Sequence, residues 1–296
     1  MSILRKALIT GVNGFIGKHL TNAFLRKNWH VTGIGGSHSQ KLKHNQFIYL
    51  DGGIENLSEQ NMKNIDYIFH LGFATNIPNS IEHPVETTKD NIGNMIHLLD
   101  LSRKAEVKKF VFVSTGSLYG NNTTPWNEEM SPDPIEPYSW QKLSCEYACL
   151  MWMKLYGLPT VILRLFQVFG ENQRWDTVIA LFWQMKKEGK ALTLTNAGSE
   201  LSPKSLERDF VYVGEVADAF VKAAESKKTG RGEVINIASG KATAIEDIAM
   251  IIGDEISWIP KRDYEVVKHQ ADIIKAKQLL GWVPTIDVLQ WLENNV

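Results

Sequence analysis

The chain has only two cysteines, Cys145 and Cys149, four apart in one helical stretch. That is too few for a disulfide-stapled scaffold, and reduced core thiols on one helix face are the reading that remains. Neither sign of charge is in excess. The formal net charge is −1, so nothing in the chain as a whole points to nucleic acid or to an anionic membrane. Any bound anion must be held by local arginines. No apolar run reaches the ~20 residues a spanning helix needs. The opening residues run straight into a strand, so no leader is expected and a cytoplasmic location follows as the default. Repeats, low-complexity tracts and long linkers are missing too, and the parts of the molecule should therefore be fused tightly.

What is present is a soluble composition, 44% hydrophobic and 22% charged, long enough for one large domain or two smaller ones. The informative stretch comes first. Ala7 to Thr10 is a short apolar run with β character, as in a strand buried on both faces of a parallel sheet. Gly11, Gly14 and Gly17 follow at three-residue spacing, and Phe15, Ile16, Leu20, Ala23, Phe24 and Leu25 then open a helical stripe. Glycine lets the backbone approach an anion closely, and a helix N-terminus presents free N–H groups to it. Ordinary strand-to-helix turns also carry glycines. The position between a first strand and a first helix is what points to a dinucleotide pyrophosphate.

Strands and helices then alternate. Strand-like runs cover 30–35, 46–51, 65–71, 109–114 and 160–165, with helices at 90–104 and 138–156. The pattern predicts an α/β protein with a doubly wound parallel sheet. Beyond Gly170 the regularity loosens: helices at 177–188 and 215–226, strands at 209–213 and 233–238, and a serine-rich loop at 197–207. The expected division is a dinucleotide-binding domain, 1–168 with 208–238 returning to it, and a smaller mixed α/β substrate domain, 169–207 with 239–296.

Tyr138 and Lys142 are four apart near the start of the long helix and share one face. A phenol, with a reference pKa near ~10, is a poor proton carrier at neutral pH. A neighbouring ammonium would lower that value and suit the phenol to acid–base work. Alone, the pair reads equally well as a surface tyrosine beside a solvated lysine. Upstream, however, Ser114-Thr115 ends a buried strand, where sheet-bound ligands are gripped.

These segments together resemble the extended short-chain dehydrogenases/reductases, the NAD-dependent epimerase/dehydratase family that acts on nucleotide-activated sugars. The resemblance rests on Thr10-Gly-Val-Asn-Gly-Phe-Ile-Gly17, His70-Leu-Gly-Phe-Ala74, Asn91-Ile-Gly93, Val113-Ser-Thr-Gly-Ser-Leu-Tyr-Gly120 and Pro137-Tyr-Ser-Trp-Gln-Lys142. Leu163-Arg-Leu-Phe-Gln-Val-Phe-Gly170, Arg208-Asp-Phe-Val-Tyr-Val213 and the segment from Ala271 to Trp282 follow in the family's order. It implies Tyr138 as acid/base, Lys142 on the nicotinamide ribose, and Thr115 on the reacting sugar hydroxyl. It implies cofactor contacts from Gly11, Asn13, Gly14, Phe15, Ile16 and Gly17 in the first loop, and from Gly36, Ser37, His38 and Lys41 after the second strand. Asp51 and Gly52, Leu71, Gly72 and Phe73, then Asn91, Val113 and Leu165 complete the cofactor set, with Tyr138 and Lys142. Ser117, Gln167, Arg174, Arg208 and Arg262 are the implied substrate residues, the last two as clamps on a diphosphate. No metal is implied. The helices at 90–104 and 138–156 are the pair family members use in a four-helix dimer interface, so a homodimer is expected.

The departures narrow the reading. Gly116-Ser117 stands where family dehydratases carry Asp-Glu, which argues against 4,6-dehydration. Gln167 replaces a usual asparagine. From Gly33 to Lys41 no acid appears, although NAD-selective members place an aspartate there to bind the adenosine ribose and repel a 2′-phosphate. NADP(H) is therefore expected in preference to NAD. The function expected is hydride transfer at C4 of a nucleoside-diphosphate hexose, as an epimerase or as a 4-ketoreductase. The alternative is a catalytically silent dinucleotide sensor, against which the joint presence of Tyr138, Lys142 and Thr115 counts.

Overall fold

The computed structural model describes residues 4–36, 42–253 and 255–295. Its first half alternates as β1 (Lys6–Thr10), α1 (Phe15–Arg26), β2 (His30–Ile34), β3 (Phe47–Leu50), β4 (Tyr67–His70), α2 (Ile77–Glu82), α3 (Pro84–Lys104), β5 (Lys109–Thr115), α4 (Pro137–Tyr156) and β6 (Thr160–Leu165). The second half holds β7 (Gln167–Phe169), α5 (Val178–Lys187), β8 (Leu192–Asn196), β9 (Glu207–Tyr212), α6 (Val213–Glu225) and β10 (Arg231–Ile237). It closes with β11 (Ala242–Ala244), α7 (Ile245–Ile252), β12 (Ile256–Pro260), α8 (Ile274–Leu280) and α9 (Val288–Glu293).

Seven strands form one sheet in the order β10-β6-β5-β4-β1-β2-β3, and all its pairs are parallel. Each strand must bury both faces, and the period of two sorts its side chains between them. Phe110 and Phe112 of β5 join Met95, Leu98, Cys145 and Cys149 on the α3/α4 face. Val111 and Val113 join Leu20, Phe24, Val216 and Phe220 on the α1/α6 face. The strand order reverses between β1 and β4, which opens a crevice above their carboxyl ends. That crevice is where the site lies. Among the described residues no helix is long and apolar enough to cross a membrane, and both cysteines are free and buried.

The sequence reading differs from this arrangement in three places. Helix α3 begins at Pro84 rather than at 90. Its first turns, Pro84-Val-Glu-Thr-Thr-Lys89, are largely exposed and carry no apolar stripe to announce them, while proline pre-sets φ for a first turn. Strands β7, β8, β11 and β12 were not foreseen, nor helices α2, α7, α8 and α9; the strands are short and dependent on partners far along the chain, β8 pairing only with β12. The expected return of 208–238 to the main sheet is made by α6 and β10 alone. Strand β9 instead lies between β11 and β7 in a separate three-stranded sheet, over a core of Phe169, Phe182, Leu194, Phe210 and Ile248.

Candidate active site

The crevice is a cleft of about 860 Å³ running from the glycine loop to the second core. Gly11 has φ +68°, and a Cβ there would stand 2.8 Å from the Gly72 nitrogen; at Gly17 it would stand 2.2 Å from the Gly11 carbonyl oxygen. Glycine is required at both points, one for the turn and one for the approach of α1 to the loop. Gly14 precedes α1 with no side chain capping the helix, so the first-turn N–H groups are left for an anion. A dinucleotide pyrophosphate fits this cradle.

The loop after β4 is fixed by Thr10. Its Oγ1 accepts from the Leu71 N–H (3.1 Å) and the Gly72 N–H (2.9 Å) and lies 2.8 Å from His70 Nδ1. The hydroxyl proton is then the one shared with Nδ1. Burial holds His70 far below the ordinary imidazole value, at about 3, with Lys142 adding to the effect. At neutral pH this histidine is an uncharged strut.

Glu136 caps α4, its carboxylate accepting from the Ser139 N–H at 3.0 Å. The cap places Tyr138 in the first turn, and Lys142 follows one turn later at the mouth of β5. Tyr138 is 9% exposed and Lys142 2%. The expectation that the ammonium lowers the phenol's pKa is not met here. Burial pushes Tyr138 well above the ordinary phenol value; a hydrogen bond from the Thr115 side opposes this, the Glu136 charge adds to it, and Arg174 draws it down. Lys142 donates to the Val113 carbonyl at 2.7 Å, and its Nζ lies 5.9 Å from the Tyr138 ring centre but 3.6 Å from that of Phe73. Burial lowers Lys142 to about 7, against raising contributions from Cys145 and Glu146. The phenol is thus a proton donor in this state.

Three arginines reach the far part of the cleft. Arg208 spends Nη1 on the carbonyls of Glu207 (2.8 Å) and Val267 (3.3 Å), and its other donors have no protein partner among the described residues. Burial lowers it to about 10, opposed by Glu265, so it remains charged. Arg174 is held by Asp176 and Thr75. Arg262 stands 3.9 Å from Glu265. A diphosphate here would meet three guanidinium groups, two of them already facing carboxylates it would have to outcompete.

Of the residues expected to act, Gly11, Asn13, Gly14, Phe15, Ile16, Gly17, Gly36, Leu71, Gly72, Phe73, Val113, Thr115, Tyr138, Lys142, Leu165, Gln167, Arg174, Arg208 and Arg262 line the cleft. Four described residues do not. Asn91 is buried and turned to the backbone of Ala74, accepting from its N–H (2.8 Å) and donating to its carbonyl (3.3 Å), with Gln141 as third partner. It fixes the loop behind Phe73 rather than facing a cofactor. Ser117 is drawn back to Thr115, whose hydroxyl is 3.2 Å from Ser117 Oγ. Asp51 is exposed and Gly52 packs over Asn56. Ser37, His38 and Lys41 lie outside the described residues. Asn13 both lines the cleft and ties down the end of β2, donating to the Gly36 carbonyl (2.8 Å) and contacting Tyr49 Oη (3.0 Å).

The sequence reading missed Glu136, whose buried carboxylate influences Tyr138. It also missed Thr75, Asp176 and Glu265, which meet the arginines. Pro137, which favours the first helical position and so marks the residue before it as the cap, was a visible signal for Glu136; the others come from loops distant in sequence and left none.

Comparison with known proteins agrees with this geometry. The family described as "NAD dependent epimerase/dehydratase family" matches residues 7–238. A putative UDP-glucose 4-epimerase of Methanocaldococcus jannaschii is 32% identical, covering 97% of this chain and 98% of that protein. Among solved structures, a UDP-N-acetylglucosamine 4-epimerase from Methanobrevibacter ruminantium, in complex with UDP-N-acetylmuramic acid, superposes with a TM-score of 0.88 at 29% identity, over 98% of this chain and 96% of that one. A UDP-glucuronic acid 4-epimerase from Bacillus cereus, in complex with UDP-glucuronic acid and NAD, gives 0.88 at 30% identity, over 97% and 96%. With its glycine cradle, its Tyr–Lys helix and this match along most of its length, the chain belongs to the NAD-dependent epimerase/dehydratase family of extended short-chain dehydrogenase/reductase enzymes.

Proposed function

We propose that this protein moves a hydride at C4 of a nucleoside-diphosphate hexose, with epimerisation as its net reaction and uridine as the base. The observation that carries the reading is spatial. The glycine cradle, the Tyr138–Lys142 pair and three arginines open into one cleft, so an anionic dinucleotide and an anionic sugar nucleotide can meet at the phenol. The relatives' names favour epimerisation over net reduction and a uridine diphosphate over other bases.

The roles follow from chemistry. A nicotinamide bound in the cleft supplies the hydride acceptor and, once reduced, the donor. Tyr138, protonated in the free protein, gives a proton to a ketone oxygen and takes one from the corresponding alcohol. Thr115 hydrogen-bonds the same oxygen once Ser117 releases its hydroxyl. Lys142 holds the ribose next to the nicotinamide and supplies positive charge. Arg208 and Arg262 grip the diphosphate, leaving the hexose free to present either face of C4. Gly116-Ser117 offers no carboxylate pair, and dehydration is excluded from the proposal.

Cofactor preference divides the support. The absence of an acid from Gly33 to Lys41 favours NADP(H), while the Bacillus cereus relative is solved with NAD. Parallel titration with NADH and NADPH, read by fluorescence, ranks the two. A homodimer is proposed through α3 and α4, because Trp140, Tyr147, Met151 and Leu155 form an exposed apolar stripe on α4 at helical spacing. Sedimentation at micromolar concentration should give twice the 33.5 kDa of one chain. We also place the substrate domain at 169–207 with 239–296, joined by β9, against the cofactor domain.

The deciding experiment incubates the protein with a UDP-hexose and either dinucleotide and follows 4-hydroxyl epimers by chromatography. Interconversion without net loss of reduced cofactor supports the proposal. Stoichiometric consumption of NADPH on a 4-keto-6-deoxy sugar nucleotide would replace it with a ketoreductase, and inertness towards every sugar nucleotide would leave a dinucleotide-binding protein.

A further inference from the structure

Buried ammonium groups normally collect oxygen partners, and Lys142 has not done so. Among the described residues its only hydrogen-bond acceptor is the Val113 carbonyl, at 2.7 Å. The rest of its surroundings are aromatic. Nζ lies 3.6 Å from the centre of the Phe73 ring and 4.9 Å from that of Phe112. Phe112 belongs to the fully buried β5 core, but Phe73 stands partly exposed in the cleft. Its ring also meets Tyr138 edge-on, with centroids 6.0 Å apart at 77°.

The groups with charge or a titrating proton near Lys142 do not replace the missing partner. Glu146, one turn further along α4, gives both oxygens to Arg164 of β6, at 2.9 and 2.7 Å, and takes a hydrogen bond from Ser114 of β5. His70 of β4 is uncharged near neutrality. Cys145 is a buried thiol raised to about 12, and Tyr138 is protonated. An aromatic face attracts a cation through its quadrupole, more strongly where water is excluded. A ring centred 3.6 Å from Nζ is therefore the nearest group favouring the charged form apart from one carbonyl.

We propose that Phe73 is a positioning residue that keeps Lys142 charged and aimed into the cleft through a cation–π contact, in place of the carboxylate such a buried lysine would otherwise need. The Asn91 clamp on Ala74 gives this contact its rigidity, because the residue after Phe73 is fixed at both its N–H and its carbonyl. The proposal deepens the role given above to Lys142 and rests on it for its catalytic consequence, but the contact itself can be tested without turnover.

The test is the titration of Lys142 in the cofactor-free protein, followed by carbon-13 NMR of ε-labelled lysine and assigned by the signal lost in Lys142→Arg. Replacing Phe73 by a series of increasingly fluorinated phenylalanines drains the ring's negative face at nearly constant shape. The midpoint should fall stepwise, by about one pH unit in all. Phe73→Leu should match the low end, and Phe73→Trp should restore or raise the midpoint. A midpoint that stays in place across the fluorinated series would overturn the proposal. The pH–rate profile supplies the second arm: its alkaline limb should move by the same amount as the NMR midpoint. If the midpoint moves and no sugar nucleotide is turned over, the contact stands and the catalytic reading of Lys142 falls. If the midpoint is fixed while turnover is normal, the reverse holds.

Discussion

Two lysines are buried against opposite ends of β5, and they are solved in opposite ways. Lys109 opens the strand and donates to the carbonyls of Ala223 (3.0 Å), Ala224 (3.2 Å) and Ser226 (2.8 Å) and to Thr229 Oγ1 (2.9 Å). It closes the C-terminal end of α6, where unpaired carbonyls and the negative end of the helix dipole favour a cation. Lys142, above the other end, has one carbonyl and two aromatic faces. Burial lowers both ammonium groups, Lys109 against an upward pull from Glu233 and Lys142, left at about 7, against pulls from Cys145 and Glu146. The lesson concerns saturation. A buried charge with all its hydrogen bonds made is a rivet; one with donors left over, facing a cleft, is available for a ligand.

Substitutions can break that contrast. The largest effect is expected next to Lys142 rather than at it: Tyr138→Phe should reduce turnover by roughly 10²–10⁴-fold, with dinucleotide affinity by fluorescence titration kept near wild type. Wild-type rates in that variant would remove the phenol from the chemistry. Lys142→Met should lower turnover by about a hundredfold and weaken cofactor binding, yet hold or raise the urea midpoint at pH 6, because an under-bonded buried charge disappears. Lys109→Met should do the opposite. Leaving its carbonyl partners unsatisfied is expected to cost about 2–4 kcal/mol in urea unfolding, while the rate per folded molecule is unchanged.

The last effect is one of pH. Lys142 has a folded-state pKa of about 7, below the ~10.4 of an unfolded lysine. Between those values the unfolded chain binds more protons, so this group makes stability rise with pH across the window and withholds it below pH 7. Urea midpoints from pH 7 to 10 should show that rise, and Lys142→Met should flatten it. A slope unchanged by the substitution would assign it to other groups, of which Lys109 is the first to examine.

The same two lysines mark how far the sequence could be read. Lys142 was legible because it shares a helix with Tyr138 at a spacing local geometry enforces, and the glycine loop was legible for the same reason: Gly11, Gly14 and Gly17 are consecutive features of one turn. Lys109 was invisible as a cap, since its partners are more than a hundred residues away. Asn91 was read as a cofactor ligand because it opens a helix in a familiar segment, but its side chain is committed to Ala74 and Gln141. The segment from 197 to 207 was legible as a serine-rich loop; what its flanks do, β8 against β12 and β9 between β11 and β7, depends on pairings that no local pattern encodes.

What the sequence by itself determined is therefore the alternation of strands and helices through β6, the glycine cradle and the Tyr138–Lys142 face. Each is set by period, spacing or a backbone conformation within a few residues. What only the tertiary structure decided is which charges are saturated. Burial raised the phenol instead of the lysine lowering it, a phenylalanine from the loop after β4 came to face the ammonium, and arginines from two loops and from β9 converged on one cleft. Those outcomes follow from desolvation and from contacts between distant segments, which exist only once the chain has closed on itself.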